Sequence, residues 1–179
     1  MEAYKAFDIG LKCRGYQFVV GLNVTDQANC VRNGFHCAEN PIDCLSYYPY
    51  ANRSVFCLVD AGGDIDEDAR DSKIACTELT IKKILSLETY LLHCLMWLVK
   101  HPSDVVHSKI HKDSAEAANG YCIVYGKSPV AKGEEGDVLA LLQTDANGDG
   151  IALSVLCVGR NGIEPGVYYD VFGTERKYV

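Results

Sequence analysis

Two stretches of the chain gather side chains that could do chemistry. One is Lys12-Cys13-Arg14-Gly15-Tyr16-Gln17. The other runs from Gly34-Phe35-His36-Cys37 through Glu39-Asn40-Pro41-Ile42-Asp43 to Tyr47-Tyr48. Polar and aromatic groups meet there on turns and at a helix start, where backbone N–H groups are left over for an anion or a partner. Tyr4, Lys5, Arg14, Gln17, His36, Asn40 and Asp43 are the candidate ligand- or partner-binding residues. In a nucleotide-type site Arg14 would hold phosphate, and His36 with the nearby aromatics would orient the base or ribose. The same residues also read as structure, with Asn40 and Asp43 as caps, Phe35 and Tyr47 as packing and Gly34 as a turn. A second group, Asp64, Asp66, Glu67 and Asp68 with Asp71 behind it, reads as an acidic, turn-rich loop. Such a run is either solvated or docks a basic partner.

No complete catalytic constellation accompanies these groups. Gly-x-Ser-x-Gly, the P-loop and the dinucleotide glycine fingerprint are all absent from the sequence. Asp145-x-Asn147-x-Asp149-Gly150 starts like a calcium loop, but Leu156 stands where the twelfth-position glutamate should be. A hairpin turn accounts for it better, because Asn and Gly tolerate positive φ. His107 and His111 are four apart with no metalloprotease glutamate between them. The nine cysteines are widely spaced and lack Cys-x-x-Cys pairs. With no basic and apolar leader at the N-terminus, they read as reduced thiols rather than a disulfide frame. No catalytic residue, metal set or cofactor is therefore expected.

Positioning these groups requires a core, and the composition supplies one: 48% of the 179 residues are hydrophobic. The formal charge of −7 argues against direct nucleic-acid binding and against an anionic membrane surface. The longest apolar run, Leu91 to Val99, is about half a membrane span. Alternation predicts strands at Tyr4–Ile9, Tyr16–Val20, Ser54–Val59 and Thr77–Ile81, with Lys12-Cys13-Arg14-Gly15 as the first turn. Asn40-Pro41 starts a short helix, since proline's missing N–H costs nothing at the first helical position. Leu91, Leu92, Leu95, Met96 and Val99 give a helix over 87–100 one apolar stripe. Glycines at short intervals between residues 103 and 137 predict loops or the remains of a small-residue repeat. Val138–Gln143, Ile151–Val158, Val167–Phe172 and Arg176–Val179 are expected to finish in an antiparallel meander. The expected fold is α+β, mostly antiparallel β with one main helix. Residues 1–102 would form one module, with 103–179 packed on it in a compact unit.

The blocks Ala3–Phe7, Cys13–Gln17 and Gly34–Asp43, with Asp71-Ser72-Lys73 and the tail Glu164–Tyr169, resemble an uncharacterised family found mainly in phages and prophages. The likeness covers about the first 85 residues and the tail. It departs at Ala6, where the family has glycine, and in the near loss of alanine/glycine repeats. Tyr4-Lys5-Ala6-Phe7, Gly34-Phe35-His36 and Ser46-Tyr47-Tyr48 also resemble the NAD-site layout of ADP-ribosyltransferases, whose late catalytic glutamate has no match beyond Glu164. The phage resemblance implies a small accessory protein in the cytoplasm of a bacterial host. It would act by binding a host protein, such as a basic, nucleic-acid-binding component of a CRISPR-Cas defence system, and so inhibit it. A binder of NAD or a nucleotide, an ADP-ribosyltransferase-like enzyme, and a structural or assembly protein that pairs as a homodimer remain the other readings.

Overall fold

The computed structural model describes residues 1–28, 33–67 and 72–177. The chain divides into two compact units, Met1–Ser86 and Leu87–Val179. Among the described residues there are two α-helices and mostly antiparallel strands, an α+β architecture.

The first unit contains β1 (Glu2–Asp8), β2 (Lys12–Cys13), β3 (Tyr16–Gln17), β4 (Gly21–Val24) and β5 (Phe35–Ala38). Helix α1 (Pro41–Tyr47), a 3-10 turn (Ala51–Arg53), β6 (Ser54–Glu67) and β7 (Lys73–Leu85) follow. Strands β6 and β7 form a long hairpin. The other edge of β6 pairs with β1 over Glu2–Asp8. The other edge of β7 carries β5 and β4. A single residue pair, Tyr4 with Ala38, joins β5 back to β1. The pairings β1–β6–β7–β5–β1 thus close on themselves. The core of the unit includes Ala3, Phe7, Val59, Ile74, Leu79 and Ile81. Phe7, Phe18, Phe35 and Tyr16 join it edge to face, with ring centroids 4.6–5.0 Å apart.

Two local readings are corrected here. The acidic stretch is not a loop: Asp64, Asp66 and Glu67 belong to β6, and Asp66 and Glu67 pair with Ala75 and Ile74. The register slips between Gly62 and Ile65, so the turn-like residues Gly62, Gly63 and Asp64 bulge the strand without ending it. Asp68 and Asp71 lie outside the described residues. The first turn also resolves into two. Strand β1 pairs with β2 at Asp8–Lys12, and β2 pairs with β3 through Cys13–Tyr16. Arg14 and Gly15 sit between them at φ 48° and 82°, as a type I′ two-residue hairpin requires.

The second unit opens with α2 (Leu87–Lys100) and a 3-10 turn (Pro102–Val106). Then come β8 (His111–Glu116), β9 (Tyr121–Lys132), β10 (Val138–Thr144), β11 (Gly150–Cys157), β12 (Tyr168–Asp170) and β13 (Glu175–Arg176). Tyr90, Leu91, Cys94, Leu95 and Leu98 are the buried stripe of α2, which packs on β10 and β11. The strand order is β11-β10-β9-β12-β13, with β8 beside β9. The C-terminal strands therefore do not run as a simple meander, because β12 docks on β9 and not on β11. The glycines at short intervals, Gly126 among them, predict loop or repeat where β9 stands. Its buried Tyr121-Cys-Ile-Val124 run instead makes it the central strand, parallel to both β8 and β10. Gly126 lies at φ 153° against Asp113, where β8 also slips register.

The Asp145–Gly150 segment is the β10–β11 turn. Asp145 Oδ1 accepts the amides of Asn147 and Asp149 at 2.8 and 3.0 Å. At the far end of the unit, Asp170 closes the β12–β13 hairpin. Its carboxylate accepts the Phe172 and Thr174 amides and pairs with the Arg176 guanidinium at 2.7 Å.

Candidate functional site

The candidate residues fall into two sets around β1, β2 and α1. Lys5 points inward from β1, between Ala3 and Phe7, and is 5% exposed. Its ammonium donates to the His36 carbonyl at 2.6 Å and lies 3.8 Å from Cys13 Sγ. It also sits over the rings of Phe7 and Phe18, at 5.1 and 5.4 Å from their centroids. These contacts make Lys5 a strut across the β1–β5 seam. Tyr4, its neighbour on β1, is half-buried, and its carbonyl accepts Cys44 Sγ of α1 at 3.5 Å.

Asn40 and Asp43 form the second set. Asn40 Oδ1 accepts the Ile42 amide at 2.9 Å, the N-cap bond that starts α1. The Asn40 amide donates to Ser72 Oγ at 2.9 Å. Ser72 in turn donates through both its amide and its hydroxyl to Asp43 Oδ2, at 3.2 and 2.6 Å. The Asn40–Asp43 block and Ser72 are thus one network that ties the helix start to the entry of β7. Their side-chain acceptors serve the fold.

Gln17 serves a turn in the same way. Its side-chain amide donates to the carbonyls of Gly10 and Phe18 at 2.7 and 3.0 Å. Arg14 is exposed at the tip of the β2–β3 hairpin. His36 lies on β5 opposite Ala75, with its carbonyl held by Lys5. Gly34, just before it, is required. At φ 91°, an added Cβ would stand 2.8 Å from Ala28 Cα and 3.1 Å from the Cys76 carbonyl. Asp64 and Glu67 are exposed on β6, whereas Asp66 is half-buried. The structure therefore brings Lys5, His36 and the Cys13–Arg14 hairpin together, and places the acidic group on a separate strand.

Sequence reasoning missed two features. The first is the pair around Cys13: Tyr48 Oη, from the residue capping the C-terminus of α1, donates to Cys13 Sγ at 3.2 Å. Only the fold brings residues 13 and 48 together, so nothing in the spacing announced it. The second is the outer face of β4. Asn23 is buried and donates to the carbonyls of Val19, Gly21 and Leu79. That anchoring turns the flanking residues outward: Val20 is 63% exposed, Leu22 56% and Val24 57%. Strand β4 ends the strand order of its sheet. The signal for it was present as the apolar run Val19-Val20-Gly21-Leu22, interrupted by Asn23.

Among the described residues, no group of three or more His, Cys, Asp or Glu side chains could hold a metal ion, and no helix is long and apolar enough to cross a membrane. The N-terminal unit is accordingly a small, self-closing antiparallel β module with a capped helix and a buried lysine. Residues 1–93 match the domain of unknown function DUF7666, and the chain belongs to that family. The match takes in the whole of the first unit and the first half of α2. No curated protein and no solved structure matches the chain.

Proposed function

We propose that this chain acts by binding a protein, as a phage-type accessory factor that occupies a host component in the bacterial cytoplasm. A basic, nucleic-acid-binding subunit of a defence system such as CRISPR-Cas is the class of partner meant. The observation that carries a binding role is the outer face of β4 and the residues leading into it. Leu22 and Val24 on the terminal strand of a sheet, and Val19 and Val20 just before it, are each more than half exposed. An apolar face at the end of a sheet is a docking surface for another chain. The formal charge of −7 favours a basic partner, through faster encounter more than through tighter contact. The phage context rests on the resemblance of the N-terminal blocks. The ligand reading is weakened because Lys5, Gln17, Asn40 and Asp43 already spend polar atoms on the fold.

The test is capture from a lysate of the bacterial host, followed by reconstitution with the purified partner. Leu22→Asp combined with Val24→Lys should abolish the complex without lowering the melting temperature. A complex that survives both changes, or failure to capture any host protein, would refute the reading. Calorimetry with NAD and ADP-ribose checks the rival: heat of binding that Arg14→Ala abolishes would put a nucleotide site in its place.

A further inference from the structure

The sulfur atoms of the N-terminal unit are not alike. Cys37, Cys57 and Cys76 lie inside the closed sheet. Burial pushes the Cys57 thiol up to about 12. The hydrogen bond to Cys76, with burial behind it, pushes Cys37 higher still. Cys76 donates to the Phe35 carbonyl at 3.4 Å. Cys37 and Cys57, held protonated in this way, are poor nucleophiles; the Cys37 hydrogen bond lowers Cys76 instead, but Cys76 is fully buried.

Cys13 is placed differently. It is half-buried on β2, immediately before the Arg14–Gly15 turn. Two donors aim at its Sγ, the Tyr48 hydroxyl at 3.2 Å and the Lys5 ammonium at 3.8 Å. Burial first, and then the bond to Cys13, hold the Tyr48 hydroxyl well above its usual range, so it stays a donor. Lys5 has no carboxylate partner among the described residues. Its other contacts are one carbonyl and two ring faces. A buried ammonium is costly unless negative charge stands beside it. The Lys5 charge also reaches the buried Cys37, Cys57 and Cys76; Cys13 Sγ is the half-buried sulfur to which Lys5 donates.

We propose that Cys13, flanked by Lys5 and Tyr48, is a site of two-electron oxidation by hydroperoxides. The sulfur attacks the near peroxide oxygen, an S–O bond forms and the O–O bond breaks. The departing oxygen takes up the proton released by the thiol and leaves as water when the oxidant is hydrogen peroxide. Sulfur is oxidised to the sulfenic acid and the peroxide is reduced. Lys5 and Tyr48 stabilise the negative charge on sulfur that makes it the nucleophile. The site needs no partner, so it stands apart from the binding reading.

Cys157 provides an internal comparison. It is also half-buried, but its thiol donates to the Glu88 carboxylate at 3.3 Å. Burial, and then Glu88, hold it above the usual thiol range. The full-length protein should be treated with hydrogen peroxide, trapped with dimedone and mapped by peptide mass spectrometry over time. Cys13 should be labelled at least about tenfold faster than Cys157. Tyr48→Phe should slow labelling of Cys13 by about three- to tenfold and leave Cys157 unchanged. Lys5→Met should slow Cys13 as well; if that variant does not fold, Tyr48→Phe alone decides. Equal labelling of Cys13 and Cys157, or no effect of Tyr48→Phe, would overturn the proposal.

Discussion

Single residues in this chain often do two jobs at once, and their hydrogen-bond partners separate the jobs. Asn40 both caps α1 and binds Ser72, so it resembles a binding residue in sequence while its atoms are used locally. Asp170 is the counterpart in the second unit. Burial alone would raise its carboxyl group, but the amides of Thr174 and Phe172 and the Arg176 guanidinium outweigh burial and hold it below the usual carboxylate range. A folded-state value below the unfolded one of about 3.9 gives stability that is complete above that pH. The contribution is lost as pH falls through the folded-state value. Asp170→Asn is expected to lower the melting temperature at pH 7 and to show a smaller deficit against the parent in acid, at about pH 2. Calorimetric melts at the two pH values check this; an undiminished deficit in acid would contradict it.

Elements, in contrast to residues, are set by where turns are allowed and where they are not. Gly34 precedes β5 at positive φ and against the Cys76 carbonyl. Gly34→Ala should therefore destabilise the fold by more than about 1 kcal/mol, measurable by urea denaturation. Much of this level was legible in the sequence. Asn40-Pro41 announced α1, and the leucine spacing announced α2 with the bounds it has. Asp145–Gly150 read as a hairpin turn and is one. The misreadings share a cause. Gly62-Gly63-Asp64 and Gly126 carry turn chemistry but sit in bulged strands, where pairing with neighbouring strands resumes on either side of them. Local composition cannot report such neighbours, which come from β7 in one case and from β8 and β10 in the other. The candidate site was half legible for the same reason: Lys5 and His36 were found by type, whereas Tyr48 beside Cys13 depends on the fold.

The whole molecule is two compact units, and the DUF7666 match covers the first together with the start of α2. The first unit closes its own sheet around its own core. Residues 1–93 expressed alone should accordingly show a strand-rich circular dichroism spectrum and a cooperative melt, whereas a featureless melt would show that the unit needs the rest of the chain. The closure itself has a lopsided character. Along β6 the first strand is paired over seven residues, but across the other edge Tyr4 and Ala38 pair alone, with the Lys5 side chain spanning the gap to His36. A ring sewn unevenly parts first at its sparsest stitch. In hydrogen–deuterium exchange the amides facing this seam should trade their protons well before those of the β6–β7 hairpin, and solvent that enters there meets the sulfur-lined interior directly.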